Sequence, residues 1–469
     1  MSPSGPRGVA REVVDDLRAV APRALRLGSI DLSGALEQSI YMALPRGGPH
    51  AASMSGPRSV VRIARAVLAG RRAAGGADGA AVLVAAQQPI HLALYAAVDA
   101  ELRRRGTVSR TVDVVRAGPA ADERLGRALS PRGAMMLSRH AMTVRSDLPV
   151  ETLPAGRDEG LFAAARDILV RLAVQAAQLD AVVARVRPAC LVTFNEIGIW
   201  SRLGPAVARA NGIPAIDLPH AEAADAEAIE GLPHDAIAVY GPRSAEVMDR
   251  AGVDPGCVHV IGPLRYDSLA ERARRSVEPL DVPRILYASQ PVRPAIAHLT
   301  REAKREVYAA ALAAAGAAAP CNLVVVPHPT EPIDELRAVI DGTKAPVGVK
   351  VVQDAGGLHD LLIGSALLVT ASSQSVFDAA VVGVPAVMVH PVDGPSPVPY
   401  AAEGFAIEVR DADAAWDAAG RLLSGVGREA ALERARRALA DRFGHVDGRA
   451  YVRAADLIQS VVSSAGRRP

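Results

Sequence analysis

The sequence predicts an α/β protein with two tandem domains, each built on a parallel sheet. The chain has 469 residues, which is more than one ordinary domain accommodates. Half of the residues are hydrophobic but only 3% are aromatic, which favours Ala-, Val- and Leu-rich helices on parallel strands over a β-sandwich. Continuous apolar runs of strand length also alternate with helical patterns in two successive series.

The first series follows a Gly- and Pro-punctuated stretch, residues 1–75, which we expect to form an N-terminal extension. A segment with helical spacing (91–106) separates the first two apolar runs, and a long amphipathic helix (158–188) precedes the third. This order predicts a domain over residues 76–271. Its predicted strands are "AAVLVAA" (80–86), "TVDVV" (111–115), "ACLVTF" (189–194) and "IPAIDLPH" (213–220), followed by "AIAVYG" and "VHVIGP".

The second series begins after a polar, Pro-containing stretch, "RARRSVEPLDVP" (272–283), which we interpret as a domain boundary. It predicts a second domain over residues 284–426, and residues 427–469 are expected to be C-terminal helices. The predicted strands are "ILYAS" (285–289), "NLVVVPHP" (322–329), "VGVKVV" (347–352), "ALLVTA" (366–371) and "PAVMVH" (385–390).

Charge and cysteine content narrow the function classes. The net charge is +2 and no basic stripe interleaved with aromatic residues is present, so nucleic-acid binding is not expected. Cys190, Cys257 and Cys321 are far apart and give neither a metal-ligand spacing nor a disulfide framework. No secretory pattern and no uninterrupted apolar run of about 18 residues occurs, so we expect a cytoplasmic protein. Peripheral contact with the inner face of the plasma membrane, or with a biosynthetic complex, is left open.

Candidate site residues are the polar side chains that follow predicted strands, because open α/β sheets bind ligands at the carboxyl ends of their strands. In the first domain, these residues are Asn195, Glu196, His220 and Glu222. In the second domain, they are Ser289, Gln290, His328, Thr370, Ser372, Ser373 and His390.

The serine pair is open to two interpretations. Helical spacing from Val376 to Gly383 indicates that a helix begins just after Ser373. The free N–H groups of a helix N-terminus bind phosphate readily, and a serine hydroxyl adds a donor. Serine at this place is also an ordinary helix cap. His328, between Pro327 and Pro329 at the end of another buried strand, strengthens the phosphate interpretation.

These motifs resemble those of GT-B glycosyltransferases, which have two Rossmann-like domains with a cleft between them and a C-terminal helix that returns across. Within that group the chain is similar to bacterial capsule polysaccharide transferases, polysialyltransferases and CDP-glycerol glycerophosphotransferases. The resemblance lies in an HP motif at His328-Pro329, an SS motif at Ser372-Ser373 with the following Asp378, and the tail "FGHVDGRAYVRAADLI". It extends over about residues 185–465.

The resemblance implies a nucleotide-activated donor, bound in the second domain by His328 and the serine pair, and a glycan or polymer acceptor. It also implies His220 as general base, although Ala221 stands where these families carry Gly. Glu196 is a strand-end carboxylate that could orient the acceptor. Polysialyltransferases use an acidic motif instead, which Asp158-Glu159-Gly160 matches by letters. No bound metal or other cofactor is implied.

Three functions are therefore open. The first is an inverting transferase that moves a sugar or polyol-phosphate from a CMP-, CDP- or UDP-linked donor in cell-surface polysaccharide synthesis. The second is a non-hydrolysing UDP-sugar 2-epimerase, which shares the fold but for which "PHPTEP" lacks the expected Arg after His. The third is a non-catalytic GT-B-like binding module. The sequence does not decide the donor sugar, the base, the acceptor or the oligomeric state.

Overall fold

The computed structural model of the chain divides it into two compact units. One unit comprises Met1–Leu264 with Ala450–Pro469, and the other comprises Arg265–Arg449. The described residues are 5–44, 81–115, 121–125, 129, 131–148, 159–223, 225–275, 280–292, 299–328, 330–342, 348–351 and 357–465.

The first unit contains a two-stranded antiparallel ribbon and a parallel sheet that has seven strands among the described residues. The ribbon strands are β1 (Arg26–Leu27) and β2 (Ile30–Asp31). The sheet strands are β3 (Val82–Ala86), β4 (Ser109–Asp113), β5 (Glu123–Arg124), β6 (Cys190–Phe194), β7 (Ala215–Leu218), β8 (Ala236–Val239) and β9 (Val258–Val260). Their order is β5-β4-β3-β6-β7-β8-β9.

Helices cover this sheet, as the parallel pairing requires. Strands β3 and β6 are buried along their whole length, which explains their uninterrupted apolar sequences. The helices that precede Leu264 are Pro6–Val20, Ser33–Ala43, Pro89–Arg104, Pro131–Asp147, Glu159–Val186, Trp200–Ala210, Ala226–Ile229 and Pro242–Arg250.

Residues 5–44, predicted as part of an extension, contribute to the hydrophobic core of the first unit. Leu17 and Leu36 lie in the same buried cluster as Leu169, on the long helix Glu159–Val186, and Leu203. This segment therefore supports the sheet from within the unit.

The second unit contains a parallel sheet that has six strands among the described residues, in the order β12-β11-β10-β13-β14-β15. The strands are β10 (Arg284–Ala288), β11 (Asn322–Val326), β12 (Gly348–Val351), β13 (Leu367–Thr370), β14 (Ala386–Val389) and β15 (Ile407–Val409). The helices are Asp267–Ala273, Arg301–Ala317, Ile333–Asp341, Leu358–Leu362, Ser375–Val382, Ala412–Leu423 and Gly425–Phe443. The predicted fold class, two α/β units built on parallel sheets, is confirmed.

The C-terminal helices belong to different units. Helix Gly425–Phe443 is part of the second unit, whereas helix Ala450–Ala465 returns to the first. Ala454 and Ile458 of that last helix are fully buried in one cluster with Val82 and Val192 of the first sheet. The chain consequently passes between the units twice, near Leu264 and near Arg449.

No helix among the described residues is both long and apolar enough to cross a membrane.

Candidate functional site

The second sheet has one position where the direction of strand addition reverses, and the predicted nucleotide-binding residues surround it. Strand β10 lies between β11 and β13, so successive strands are added on one side of β10 and then on the other. Such a reversal leaves a crevice at the carboxyl ends of the two central strands, where α/β proteins bind ligands. Ser289 and Gln290 follow β10, His328 follows β11, and Ser372 and Ser373 follow β13.

Gln290 spans this reversal point. Its Oε1 accepts two hydrogen bonds from Ser372, one from the backbone N–H at 2.7 Å and one from the hydroxyl at 3.3 Å. At the last residues of β10 and β13, the fully buried Thr370 donates from Oγ1 to the carbonyl oxygen of Ala288 at 2.9 Å. Thr370 therefore ties the two strands together, while Gln290 fixes the loop that carries the serine pair.

Ser373 performs a capping function that leaves its own donor available. Ser373 Oγ accepts the N–H of Ser375, 3.2 Å away, at the start of helix Ser375–Val382. A hydroxyl that accepts a hydrogen bond still has its own O–H to donate. The cap and the phosphate interpretations are thus compatible, because the half-buried Ser373 hydroxyl can serve both.

His328 is held in one neutral tautomer. The backbone N–H of Thr330 donates to His328 Nδ1 at 3.2 Å, and Thr330 Oγ1 lies 2.9 Å from the same nitrogen. Since Nδ1 accepts a hydrogen bond, the ring proton is on Nε2 when the imidazole is neutral. His328 can therefore donate from Nε2, which is the role that phosphate binding requires.

A buried carboxylate connects the ends of β10 and β11. Glu331 accepts the hydroxyl of Ser289 at 2.8 Å on Oε1 and the backbone N–H of His328 at 3.0 Å on Oε2. Lys304, from helix Arg301–Ala317, also donates to Glu331 Oε1. Sequence reasoning missed both Glu331 and Lys304.

Asp378 lies in helix Ser375–Val382, one turn after the serine pair. Its carboxylate is buried, 3.9 Å from Arg265 Nη2 and 3.7 Å from His359 Nε2. Pro329 and Asp158 lie outside the described residues, and Glu159 is described only as the first residue of its helix.

The first sheet has a corresponding reversal point between β3 and β6. Gln87 follows β3, and its Nε2 donates to the carbonyl oxygen of Phe194 at the end of β6, 2.6 Å away. A glutamine therefore spans the reversal point in each unit. Neither glutamine could be paired with its partner from sequence, because the pairing depends on which strands are neighbours.

Glu196 and His220 meet beside this point. Asn195 has a φ of 71°, a left-handed conformation that Asn tolerates better than most residues. The chain turns there, and Glu196 Oε2 comes to 4.0 Å from His220 Nδ1. Burial raises the pKa of Glu196 to about 7 and lowers the pKa of His220. A neutral imidazole beside a carboxyl group is suited to accept a proton.

His91 is a third member of this cluster, which sequence reasoning read only as part of a helix. Its fully buried ring stacks on Phe194 at 4.9 Å between centroids and lies 5.4 Å from the His220 ring. His91 Nδ1 accepts the N–H of Gln87 at 3.1 Å, so Nε2 carries the proton. Burial, followed by the charge of His220, lowers the pKa of His91 to about 4.

Two buried arginines support the loops around Glu196. Arg202 donates to the carbonyl oxygens of Glu196 at 3.2 Å and Glu230 at 3.0 Å. Arg7, from the N-terminal segment, donates to Glu230 O at 2.8 Å and to Gln38 Oε1 at 2.6 Å. Gln38 in turn donates to the carbonyl oxygen of Ile197 at 2.7 Å. The N-terminal segment thus positions the loop that contains Glu196.

A second buried network centres on Thr193, whose Oγ1 lies 2.8 Å from Asp217 Oδ1 and 2.8 Å from His234 Nε2. Burial, followed by the charge of Glu196, raises the pKa of Asp217, and burial lowers that of His234 to about 3. These directions favour a neutral buried network. Among the described residues, no group of three or more His, Cys, Asp or Glu side chains could hold a metal ion.

Comparisons with known proteins find similarity in structure alone. No family model and no curated protein sequence matches the chain. The chain is similar to a putative UDP-N-acetylglucosamine 2-epimerase from Listeria monocytogenes, at 16% identity and a TM-score of 0.55, over 81% of this chain and 95% of that one. It is also similar to UDP-GlcNAc 2-epimerase from Neisseria meningitidis bound to UDP-GlcNAc, at 13% identity and a TM-score of 0.53, over 82% and 99%.

These likenesses show the fold, which is of the GT-B type. At this level of identity they do not determine the reaction.

Proposed function

We propose that the protein is a metal-independent, inverting transferase of the GT-B type. It moves a sugar or polyol-phosphate from a CMP-, CDP- or UDP-linked donor to a glycan or polymer acceptor in cell-surface polysaccharide synthesis. The observation that carries the proposal is the grouping of His328, Gln290 and the serine pair around the strand-reversal point of the second sheet. The described residues supply hydrogen-bond donors there, which a phosphate group can accept.

In this proposal the second unit stabilises the departing nucleotide. His328 Nε2–H, the Ser373 hydroxyl and the N-terminus of helix Ser375–Val382 face the charge that develops on the leaving phosphate. Ser372, which donates to Gln290 Oε1 from both its backbone N–H and its hydroxyl, positions this loop. Donors fixed before the reaction stabilise that charge without reorganising. Thr370 and Asp378 act indirectly, Thr370 by joining the strands and Asp378 by its contacts with Arg265 and His359.

The first unit supplies the base. His220 takes the proton of the acceptor hydroxyl as the acceptor oxygen bonds to the anomeric carbon of the sugar, or to the phosphorus of the polyol-phosphate. The bond from that atom to the nucleotide phosphate oxygen breaks, and the nucleotide leaves with the bonding electrons. Glu196, whose Oε2 lies 4.0 Å from His220 Nδ1, orients the acceptor beside the imidazole. The lowered pKa of His220 keeps the imidazole neutral near pH 7.

The test is a thermal-shift panel of CMP, CDP, UDP, GDP and dTDP. A nucleotide at about a hundred times its Kd adds roughly 2.7 kcal/mol to the unfolding free energy, which is visible in Tm. We expect stabilisation by CMP or CDP, its loss in His328→Ala, and its retention in His220→Ala. His259→Ala, on β9 of the same unit as His220, is the matched control for turnover. Turnover by His220→Ala at the wild-type rate would remove His220 as base.

The epimerase alternative has a distinct signature. Because the fold is similar to that of UDP-GlcNAc 2-epimerases, UDP-GlcNAc is the substrate with which to test the epimerase alternative. Conversion of UDP-GlcNAc to an isomeric UDP-sugar in the absence of acceptor would replace the transferase proposal. No thermal shift with any nucleotide would instead favour a non-catalytic module.

A location at the inner face of the plasma membrane stays a prediction, and co-sedimentation with inner-membrane vesicles measures it.

A further inference from the structure

The buried pair Lys304 and Glu331 is not explained by phosphate binding. Both side chains are fully buried, and Lys304 Nζ also donates to Glu335 Oε1 at 2.9 Å. The chain uses Arg for nearly all its positive charge, with Lys at 304, 344 and 350 only. An ammonium group is more compact than a guanidinium group and fits a site where two carboxylates approach one point.

Stability alone does not account for such a pair. Replacing a buried ion pair with apolar side chains of similar volume is often neutral or stabilising, because removing two charges from water is costly. A buried pair that is present despite this cost is therefore expected to determine a particular geometry.

The geometry in question is that of the loop after β11. Glu331 N–H donates to His328 O at 2.8 Å, while Glu331 Oε2 accepts the His328 N–H at 3.0 Å. Glu331 and His328 are therefore joined by two hydrogen bonds, one through the backbone of Glu331 and one through its carboxylate. Through Oε1 it also holds the hydroxyl of Ser289, at the end of the neighbouring strand.

We propose that Glu331 and Lys304 are positioning residues that hold His328 and Ser289 in their nucleotide-binding arrangement, an inference that rests on the proposed function. Lys304 neutralises and orients the carboxylate, and the carboxylate joins the two strand ends. Neither side chain touches the nucleotide.

The hydrogen bond between Ser289 and Glu331 also limits which hydrogen bonds Ser289 can make. Its hydroxyl proton is donated to Glu331, so only the lone pairs of Ser289 Oγ remain available. Ser289, which is almost fully buried and also bonds the Tyr287 hydroxyl, accordingly does not donate to a phosphate.

The experiment replaces the pair with apolar groups in the full-length protein, as Lys304→Met with Glu331→Leu. Two properties are measured: hydrogen exchange of the peptide that covers residues 327–336 in the nucleotide-free protein, and the Kd values of CDP and UDP by calorimetry. We expect an unchanged Tm, faster exchange confined to that peptide, and nucleotide binding weakened roughly tenfold or more. Arg284→Met is the matched control, since Arg284 bonds Ser365 at the opposite end of β10.

Unchanged exchange together with unchanged Kd values would overturn the positioning role. A lowered Tm with exchange raised across the whole second unit would also overturn it, because the pair would then be a general stabilising element. If the double variant does not fold, Glu331→Gln gives the same two readouts with the shape of the side chain retained. If the wild-type protein binds neither CDP nor UDP and CMP gives no thermal shift, the proposed function fails, and the exchange measurement still decides whether the pair holds the loop.

Discussion

Replacing Glu196 with Gln tests the electrostatic description of the first unit. Burial raises the pKa of this carboxyl from an ordinary 4.5 to about 7. The folded protein therefore keeps the Glu196 proton at pH values where the unfolded chain has lost it. The contribution of the group to stability is complete below about pH 4.5 and decreases as the pH rises through 7.

The difference between the two pKa values sets the size of the effect. From 4.5 to about 7 it corresponds to about 3 kcal/mol of unfolding free energy, at about 1.4 kcal/mol for each pH unit. Between about pH 5.5 and 8.5 the wild-type protein should lose about 2 kcal/mol through this group. Because Gln does not titrate, the unfolding free energy of Glu196→Gln should not show this decrease. Its stability relative to the wild type should therefore increase as the pH rises.

Tryptophan fluorescence can report on the first unit alone. The chain has two tryptophans. Trp200 is buried in the first unit and Trp416 is half-exposed in the second. In a Trp416→Phe background, urea unfolding followed by Trp200 fluorescence at about pH 5.5 and 8.5 gives the required difference. Glu246→Gln, at an exposed position of helix Pro242–Arg250, is the matched control and should leave the pH dependence unchanged.

Equal pH dependence in Glu196→Gln and the wild type would refute the reasoning. A variant that is less stable than the wild type at high pH would mean that Glu196 is ionised in the folded protein. The backbone hydrogen bond to the Glu196 carboxylate and the charge of Arg202, which both oppose the burial effect, would then dominate over burial.

Three further substitutions test packing, backbone conformation and the histidine cluster. A Cβ at Gly204 would lie 2.7 Å from Thr193 Cγ2, so Gly204→Ala should cost about 1–3 kcal/mol in urea unfolding, and Thr193→Ser should relieve part of the loss. Gly383 has a φ of 73° and open space around it. Gly383→Ala should therefore lower the unfolding free energy of the second unit by about 1–2 kcal/mol in urea unfolding, and Gly383→Asn should lower it by less. His91→Phe keeps the stacked ring but removes the Nδ1 acceptor and should reduce transfer through His220 while CDP binding stays intact; unchanged turnover would show that His91 only packs.

The sheets were predictable because parallel strands covered on both faces have continuous apolar sequences. Runs such as Cys190–Phe194 and Leu367–Thr370 appear where the sequence predicts them. The N-terminal segment was harder to place, since Arg7 and Gln38 read as surface residues in sequence. They are buried because they bond to loops about 160 to 220 positions away.

The candidate site was predictable only in part, for a related physical reason. A polar residue that follows an apolar run can be recognised, which identified Glu196, His220, His328 and the serine pair. Lys304 lies inside a helix, 27 positions before the carboxylate it contacts. Helical lysines are usually solvated, so no local signal marks it as buried.

The return of helix Ala450–Ala465 to the first unit has a consequence during synthesis. The nascent first unit emerges from the ribosome long before the helix that completes its apolar face, because the whole second unit is translated in between. About 190 residues separate Leu264 from Ile458, which at roughly 5–20 residues per second corresponds to roughly 10–40 s. During that interval Val82 and Val192 lack part of their cover, so we expect the nascent chain to bind chaperones until the second unit has been translated and the last helix docks.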